Sequence, residues 1–600
     1  MPDPKPVLLF DGRCGFCRIW IEYWQQLTGD RIEYATSQDS RERFPKISEH
    51  AFENAVQLVR PDGSVASGAE AVFETLQMQW LCRWISGFAE FFYGIIARNR
   101  PFFYQATRFT FGTRIEPTRF AATQWLFIRA LALIYFFAFW PLTKQIEGLI
   151  GSQGILPLIE FFSSVTKQSD GAIRYLAVPS IFWLSAADGT MTGMAWFGVI
   201  LSGLLFITGY VRGRFERVLL AMLFVLYLSF SAAGQDFLSF QWDSLLLEAG
   251  FLAIFIGRNR VVPWLFRWLL FRLYFLSGAV KLLSGDPTWR TLTALDFHFH
   301  TQPLPNAVAW YAEKLPVSVA RASTWTALAI ELAAPFLIFF PRRIRMVGAA
   351  VIAGLQILIF ATGNYAFFNL LTLALCIFLF DDRLLRRWVP VRVLDAYAAK
   401  PEPKAAAKNR VPAWAPAVLA VVIVGLGLAH LWQTFTGSVP GPLRAAIRYT
   451  APLNIVNTYG LFAVMTTVRN EIELEGSDDG EHWVAYQLPY KPREVDRAPR
   501  WAAPYQPRVD WQMWFAALSN YQRNPWFVGL AIRLLQGSPQ VLSLFQTNPF
   551  PVHPPKFIRA TVATYTYTDW ETRKKTGAWW KKEPAGIYLP AVGLRGTAGN

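Results

Sequence analysis

Between residues 123 and 433 the chain runs in long apolar stretches separated by short loops that alternate in charge. Nine stretches (123–141, 192–210, 216–233, 244–257, 263–283, 323–341, 346–362, 364–380 and 413–433) read as helices in a hydrocarbon core, which takes about 20 residues to cross. The fourth is short, and YLAVPSIFWLSA (175–186) reads as re-entrant or interfacial. The loops RGRFER, RNR, PRRIR and DDRLLRRWVPVR are basic, whereas SAAGQDFLSFQWD and TGNYAFFN carry no positive charge. Basic loops stay on the cytoplasmic side, so about nine spans with a cytoplasmic N-terminus satisfy every loop. This predicts an integral, multi-pass protein, placed in a bacterial inner membrane with its C-terminal domain periplasmic.

The two ends follow other periods. Residues 1–80 predict a small α/β domain: VLLF is a buried strand, DGRCGFC a tight turn and RIWIEYWQQL an amphipathic helix. A hairpin turning at Pro61-Asp62-Gly63 and the helix AEAVFETLQ close it. Residues 81–122, rich in arginine and aromatics, read as an interfacial connector. The main helical membrane domain occupies 123–383, a Pro/Ala/Lys linker 384–412 and the last span 413–433. Over 444–592, EIELEGS and FIRATVATYTYT alternate strictly around polar turns, predicting a β-sandwich-like exterior domain. The stretch WQMWFAALSNYQRNPWFVGLAIRLLQG is a helical insertion in it. Its tryptophans (Trp483, Trp511, Trp514, Trp526, Trp579, Trp580) read as core, with a client-binding surface as the alternative.

Composition agrees, at 53% hydrophobic and 16% aromatic. The net charge of +16 resides mostly in arginines between apolar stretches, so it is a topological signal and nucleic acid is not expected as a partner. Four cysteines exclude a disulfide scaffold, and only Cys14 and Cys17 form a spaced pair. They stand where a helix starts, which favours a thiolate, and Arg13 and Arg18 add positive charge. Dithiol redox chemistry is the main reading. Half of a zinc site and a motif without activity remain as alternatives, and no metal or cofactor is expected.

Ionisable residues inside apolar spans are costly and mark functional sites by default. The stretch QWDSLLLEAG brings Trp242, Asp243 and Glu248, and YFLSGAVKLLSGDPTWRTLTALDFHFHTQPLP brings Lys281 and a polar loop. Counting depth at about 1.5 Å per residue pairs Lys281 with Glu248 near the outer ends of their helices. The same count pairs Arg272 with Glu331 near mid-bilayer. Asn364 and Asn369 enter from the same side and are expected to complete a polar cavity. In the loop, Asp286, Trp289, His298 and His300 are singled out; in an extended segment the two histidines share one face. A metal there would need Asp286 or Asp296, and polar packing is preferred.

FDGRCGFC, the hairpin and SGAEAVFETL together resemble the DCC thiol-disulfide oxidoreductase family, which is thioredoxin-like. The resemblance implies Cys14 as attacking thiolate, Cys17 as resolving thiol and Asp11 as the motif's acid, acting on an unknown cytosolic redox partner. QWDSLLLEAGF, SGAVKLLSGDPTW, HFHTQPLP and FFNLLTLAL resemble the lipase maturation factor family. The likeness continues through NIVNTYGLF, VMTTVRNEIELEGSDDGEHW, QPRVDWQMWFAAL, LFQTNPF and PPKFIRA, over roughly residues 120–590. It implies a membrane-embedded maturation or folding factor whose client is a secreted lipase or similar exported enzyme, with membrane lipids around it. His300 departs from the family pattern, which has an acid there. More remotely, YFLSGAVKLLSGDPTW is similar to a helix of vitamin K-dependent carboxylases, in which a lysine is the base. This implies an alternative enzyme with an outward-facing cavity around Lys281.

Overall fold

VLLF is apolar at every position because both faces of its strand are covered. In the computed structural model, β1 (Val7–Phe10) puts Leu8 into one cluster with Ile21, Leu58 and Ala71, and Val7 and Leu9 into another with Phe52 and Val59. The structure describes residues 5–45, 47–113, 115, 120–169, 171–208, 214–257, 260–398 and 414–594. They fall into two compact units, Met1–Arg119 with Phe339–Val347, and Phe120–Ile338 with Gly348–Asn600.

In the first unit β1 pairs in parallel with β2 (Glu33–Thr36) through the crossover helix Gly15–Thr28. It pairs antiparallel with β3 (Gln57–Val59), which turns into β4 (Val65–Ser67), giving the order β2-β1-β3-β4. The stretch 81–122 is more than the expected connector. Helices Gln79–Arg98 and Arg100–Thr110 belong to this unit, where the Tyr93 hydroxyl accepts from the Val56 amide at 3.0 Å and Phe103 packs on Phe16.

The second unit carries the membrane helices, apart from the first residues of Arg342–Thr362, which fall in the first. Five described helices are long and apolar enough to cross a bilayer: Ala121–Phe139, Asp188–Thr208, Phe215–Ala233, Arg342–Thr362 and Ala415–Thr436. Among the described residues these five, not the expected nine, meet that criterion. Helix Gln241–Ile254 has 14 residues, about 21 Å, and Phe368–Cys376 has nine. Val261–Leu283 carries Arg267, Arg272 and Lys281, and Val317–Leu337 carries Glu331 and an internal Pro335. The 175–186 stretch is a short helix and a 3-10 turn whose Trp183 stacks on Phe162 at 3.9 Å. Of the linker expected at 384–412, residues 399–412 lie outside the described residues.

The alternating C-terminal segments form β5 (Asn470–Ser477) and β7 (Phe557–Tyr567), paired antiparallel from Asn470 opposite Thr564 to Ser477 opposite Phe557. With β6 (Val484–Ala485) and β8 (Trp580–Val592) they make a single four-stranded sheet, β6-β5-β7-β8. The expected sandwich is therefore corrected: among the described residues no second sheet faces this one. The apolar insertion takes that place, as helices Arg508–Ala516 and Pro525–Leu535, and Trp526, Phe527 and Leu530 share a core with Ile558 and Ala560. Trp511, Trp514, Trp526 and Trp580 are buried, as expected of core.

Sheet and membrane helices share that core and are joined by buried arginines. Arg508 grips Asp243 with two hydrogen bonds of 2.9 and 3.0 Å, donates to the Phe237 carbonyl at 2.8 Å, and has Tyr227 beside it donating to the same carboxylate. Arg469, paired with Glu471 at the start of β5, donates to the carbonyls of His300, Gln302 and Pro303 at 2.9, 2.5 and 3.1 Å. Removing one partner of a buried pair strands the other. Arg508→Met should therefore lower stability by about 3–5 kcal/mol. Adding Asp243→Asn should restore much of that loss, as thermal unfolding in one detergent would measure.

Candidate functional site

The dithiol is built by a turn and a helix start. Asp11 braces the turn, its Oδ1 accepting from the Arg13 amide at 3.0 Å and from Gln38 Nε2 at 2.9 Å. Cys14 caps helix Gly15–Thr28, and its Sγ accepts from the Cys17 amide at 3.4 Å. The hydrogen bond from the Cys17 thiol, helped by that amide and by the charge of Arg100, holds the Cys14 thiol down to about 6 against the effect of burial. Cys17 is pushed up, because it donates to Cys14 and is partly buried. The cation that matters is Arg100, 3.6 Å from the Asp11 carboxylate; Arg13 and Arg18 are exposed. Nothing in the local sequence could have shown this, because Arg100 arrives on a helix far down the chain. Such a pair can attack a disulfide with one sulfur and resolve with the other.

In the membrane part the structure exchanges the partners expected for the buried charges. Arg272 pairs with Glu248, both fully buried, and Lys281 Nζ donates to Glu331 at 2.5 and 2.6 Å. The depth count assumes that every apolar run starts at one surface. Helix Val317–Leu337 instead starts six residues before its run at 323 and sets Glu331 against Gly278, one turn from Lys281. A Cβ at Gly278 would lie 3.0 Å from Glu331 Cβ, so the glycine permits the approach.

Glu248 is also held by the C-terminal segment: it accepts from the Asn457 amide at 2.9 Å and the Tyr459 hydroxyl at 2.8 Å. Trp242 packs between Phe240 and Trp511, each 4.6 Å away between ring centres. Asn369 donates to Gln356 at 2.7 Å, which donates to Tyr274 at 2.8 Å. Asn364 binds the Leu304 and Arg500 carbonyls and accepts from the amides of Ala502 and Ala503. The two asparagines thus bind neighbouring groups, where a polar cavity was expected of them.

Over Lys281 lies the Trp289 ring, 5.0 Å from Nζ, with its indole N–H donating to the Phe462 carbonyl at 3.0 Å. Asp286 caps the turn, accepting from the Thr288 amide at 2.7 Å and the Met465 amide at 2.5 Å. His298 and His300 lie in helix Ala294–Thr301, not in an extended segment, so they point about 200° apart. His298 Nε2 meets the Tyr365 hydroxyl at 3.3 Å, and His300 Nδ1 meets Glu313 at 2.7 Å. Burial, with the charge of Lys281 adding, pushes His298 down to about 4. Among the described residues no group of three or more His, Cys, Asp or Glu is placed to hold a metal.

The sequence reading missed Tyr227, Asn457, Tyr459, Arg469 and Arg508 as partners. The signal was present, since Asn457 and Tyr459 lie in NIVNTYGLF, Arg469 in VMTTVRNEIELEGSDDGEHW and Arg508 in QPRVDW.

A helical membrane core locked to a sheet, in one chain with a dithiol unit, defines an integral membrane protein with an appended redox domain. The comparisons agree: residues 122–387 match the lipase maturation factor transmembrane domain, 455–590 the lipase maturation factor C-terminal domain, and 8–106 the DCC1-like thiol-disulfide oxidoreductase family. Lipase maturation factor 2 of Gallus gallus is 34% identical over 78% of this chain and 81% of its own. Lipase maturation factor 1 of Bos taurus is 33% identical over 81% of this chain and 91% of its own. Lipase maturation factor 2 of Homo sapiens is 33% identical over 78% and 82%. The chain belongs to the lipase maturation factor family. No solved structure matches it. These relatives are vertebrate proteins, and vertebrate cells have no bacterial inner membrane or periplasm. The expected bacterial inner-membrane location, with a periplasmic C-terminal domain, is corrected accordingly; the multi-pass membrane placement stands.

Two measurements test this geometry. Lys281→Met should destabilise the protein by about 3–5 kcal/mol, and Glu331→Gln in the same chain should recover much of it. Glu248→Gln should recover nothing, and recovery with that variant instead would reverse the pairing. Separately, alkylation of the reduced protein should follow a titration centred near pH 6 and fall on Cys14, because the thiolate is the reactive form. In Cys17→Ala the centre should move up, since the principal hydrogen bond is gone.

Proposed function

We propose that this protein is a membrane-embedded maturation factor that helps secreted lipases or similar exported enzymes to fold, with an appended dithiol domain acting on a separate partner. The observation that carries this reading is the family match across both the membrane helices and the C-terminal sheet. The buried clamps support it too. They tie helix Gln241–Ile254 to the sheet segment through Asp243 and Glu248, which suits a rigid platform for a client. Lys281, the candidate base of the enzyme alternative, is engaged with Glu331 beneath Trp289, which gives that alternative no support.

In the membrane part we read nine embedded segments, seven of crossing length. Val261–Leu283 and Val317–Leu337 join the five apolar helices because their charges pair with each other or with neighbours, which removes much of the cost of burial in lipid. The strand order β2-β1-β3-β4, with the dithiol at the start of the first helix, supports a thioredoxin-like fold for the N-terminal unit. There the Cys14 thiolate attacks one sulfur of a partner disulfide, and the partner's other sulfur leaves as thiolate. Cys17 then gives up its proton and attacks Cys14, leaving the partner reduced and Cys14 and Cys17 joined as a disulfide.

The test is expression in animal cells that lack their own maturation factor, with activity per mass of secreted lipase as readout. The wild-type chain should raise that activity, and Cys14→Ser with Cys17→Ser should retain the gain. Arg508→Met should lose it, and Arg508→Met with Asp243→Asn should regain it in part. A wild-type chain that is folded and inserted yet leaves lipase activity unchanged would overturn the assignment.

A further inference from the structure

Helices Gln79–Arg98 and Arg100–Thr110 each have one face turned into the dithiol unit and one turned out. Inward go Tyr93, bonded to Val56, and Arg100, beside Asp11. Outward, at helical spacing, go Phe88 (67% exposed), Phe91 (65%), Phe92 and Ile95 on the first helix, and Phe102 (67%) and Phe109 (71%) on the second. Aromatics left this bare on a domain with its own two-sided core mark an interaction surface.

We propose that this stripe is a membrane-interface anchor, occupied by a phospholipid surface with anionic headgroups. Three observations favour lipid over a protein partner. First, the chain reaches its first membrane span, Ala121–Phe139, eleven residues after Thr110, which ties the stripe within about 40 Å of the bilayer. Second, the exposed basic residues on these helices, Arg98 and Arg108, flank the aromatics and suit phosphate headgroups. Third, the single acid between residues 86 and 110, Glu90, is turned to the protein's own backbone and accepts from the Glu70 amide at 3.1 Å. Amphipathic helices with basic flanks and Phe-rich apolar faces lie in the headgroup region with that face buried about 5–10 Å.

The anchor has a consequence for the redox site. Ile96, Ala97 and Arg100 line the cleft that holds Cys17, on the opposite side of the same helices. A helix is about 10 Å across, so a bilayer against the stripe keeps the dithiol near the headgroups and selects partners presented at the membrane surface.

The test places the photo-reactive residue p-benzoylphenylalanine at Phe91 or Phe109 in the full chain. The protein is reconstituted in nanodiscs of phosphatidylcholine with phosphatidylglycerol, and adducts are read by mass spectrometry after irradiation. Ile207, exposed on the Asp188–Thr208 span, serves as lipid-facing control, and Val65, in the hairpin of the dithiol unit, as solvent-facing control. Cys14 alkylation near pH 7 confirms that each variant is folded. Phe91 and Phe109 should give phospholipid adducts in yields close to Ile207 and well above Val65. Adducts to the chain itself or to a co-purified protein, or no adduct while Ile207 gives one, would overturn the proposal.

Discussion

The second unit depends on the two carboxylates of one short helix. Gln241–Ile254 is too short to cross a bilayer, and it buries Asp243 and Glu248 completely. An uncompensated carboxylate in such a place costs several kcal/mol. Each is compensated by groups distant in sequence: Arg508 and Tyr227 for Asp243, Arg272 with Asn457 and Tyr459 for Glu248. Since Asn457, Tyr459 and Arg508 belong to the C-terminal segment, Asp243 and Glu248 gain their full set of partners only when that segment is docked. Electrostatics thereby makes one body of what composition divides into a membrane part and an exterior part.

The same logic places the loop after Lys281. Asp286 and Trp289 bind backbone of residues 462–465, and Arg469 gathers three carbonyls from the segment around Gln302. Polar residues that look like a reactive constellation when read along the chain are engaged in holding a connection. His298, half-buried and held well below the usual imidazole range, lies against Tyr365 and Phe462, and His300 faces Glu313. A carboxylate thus stands beside position 300 although the residue there is not acidic.

The dithiol works by a different principle. Its activation comes chiefly from one hydrogen bond, the Cys17 thiol to Cys14, with the helix start and Arg100 adding to it. The asymmetry between the sulfurs follows chiefly from that contact, which lowers one group and raises the other, with burial raising Cys17 further. The helix that supplies Arg100 also carries part of the bare aromatic stripe, so one element serves both the chemistry and the proposed anchor.

Local pattern was enough for what depends on local pattern. The strands β1, β5 and β7, the hairpin at Pro61-Asp62-Gly63, the apolar helices and the Cys14–Cys17 turn follow from periodicity and turn chemistry, which neighbouring residues set. The family likeness was legible as well, because its motifs are contiguous. What depends on packing between distant segments was not. Single-sheet architecture was decided by an apolar insertion that covers the face a second sheet would take, and helix in place of extended chain around His298 turned a shared face into opposite ones. The pairing of Arg272 with Glu248 and Lys281 with Glu331 was decided by where helices begin relative to one another, and a chain read residue by residue carries no common zero of depth. Charges find partners by distance in space, and only the tertiary structure sets that distance.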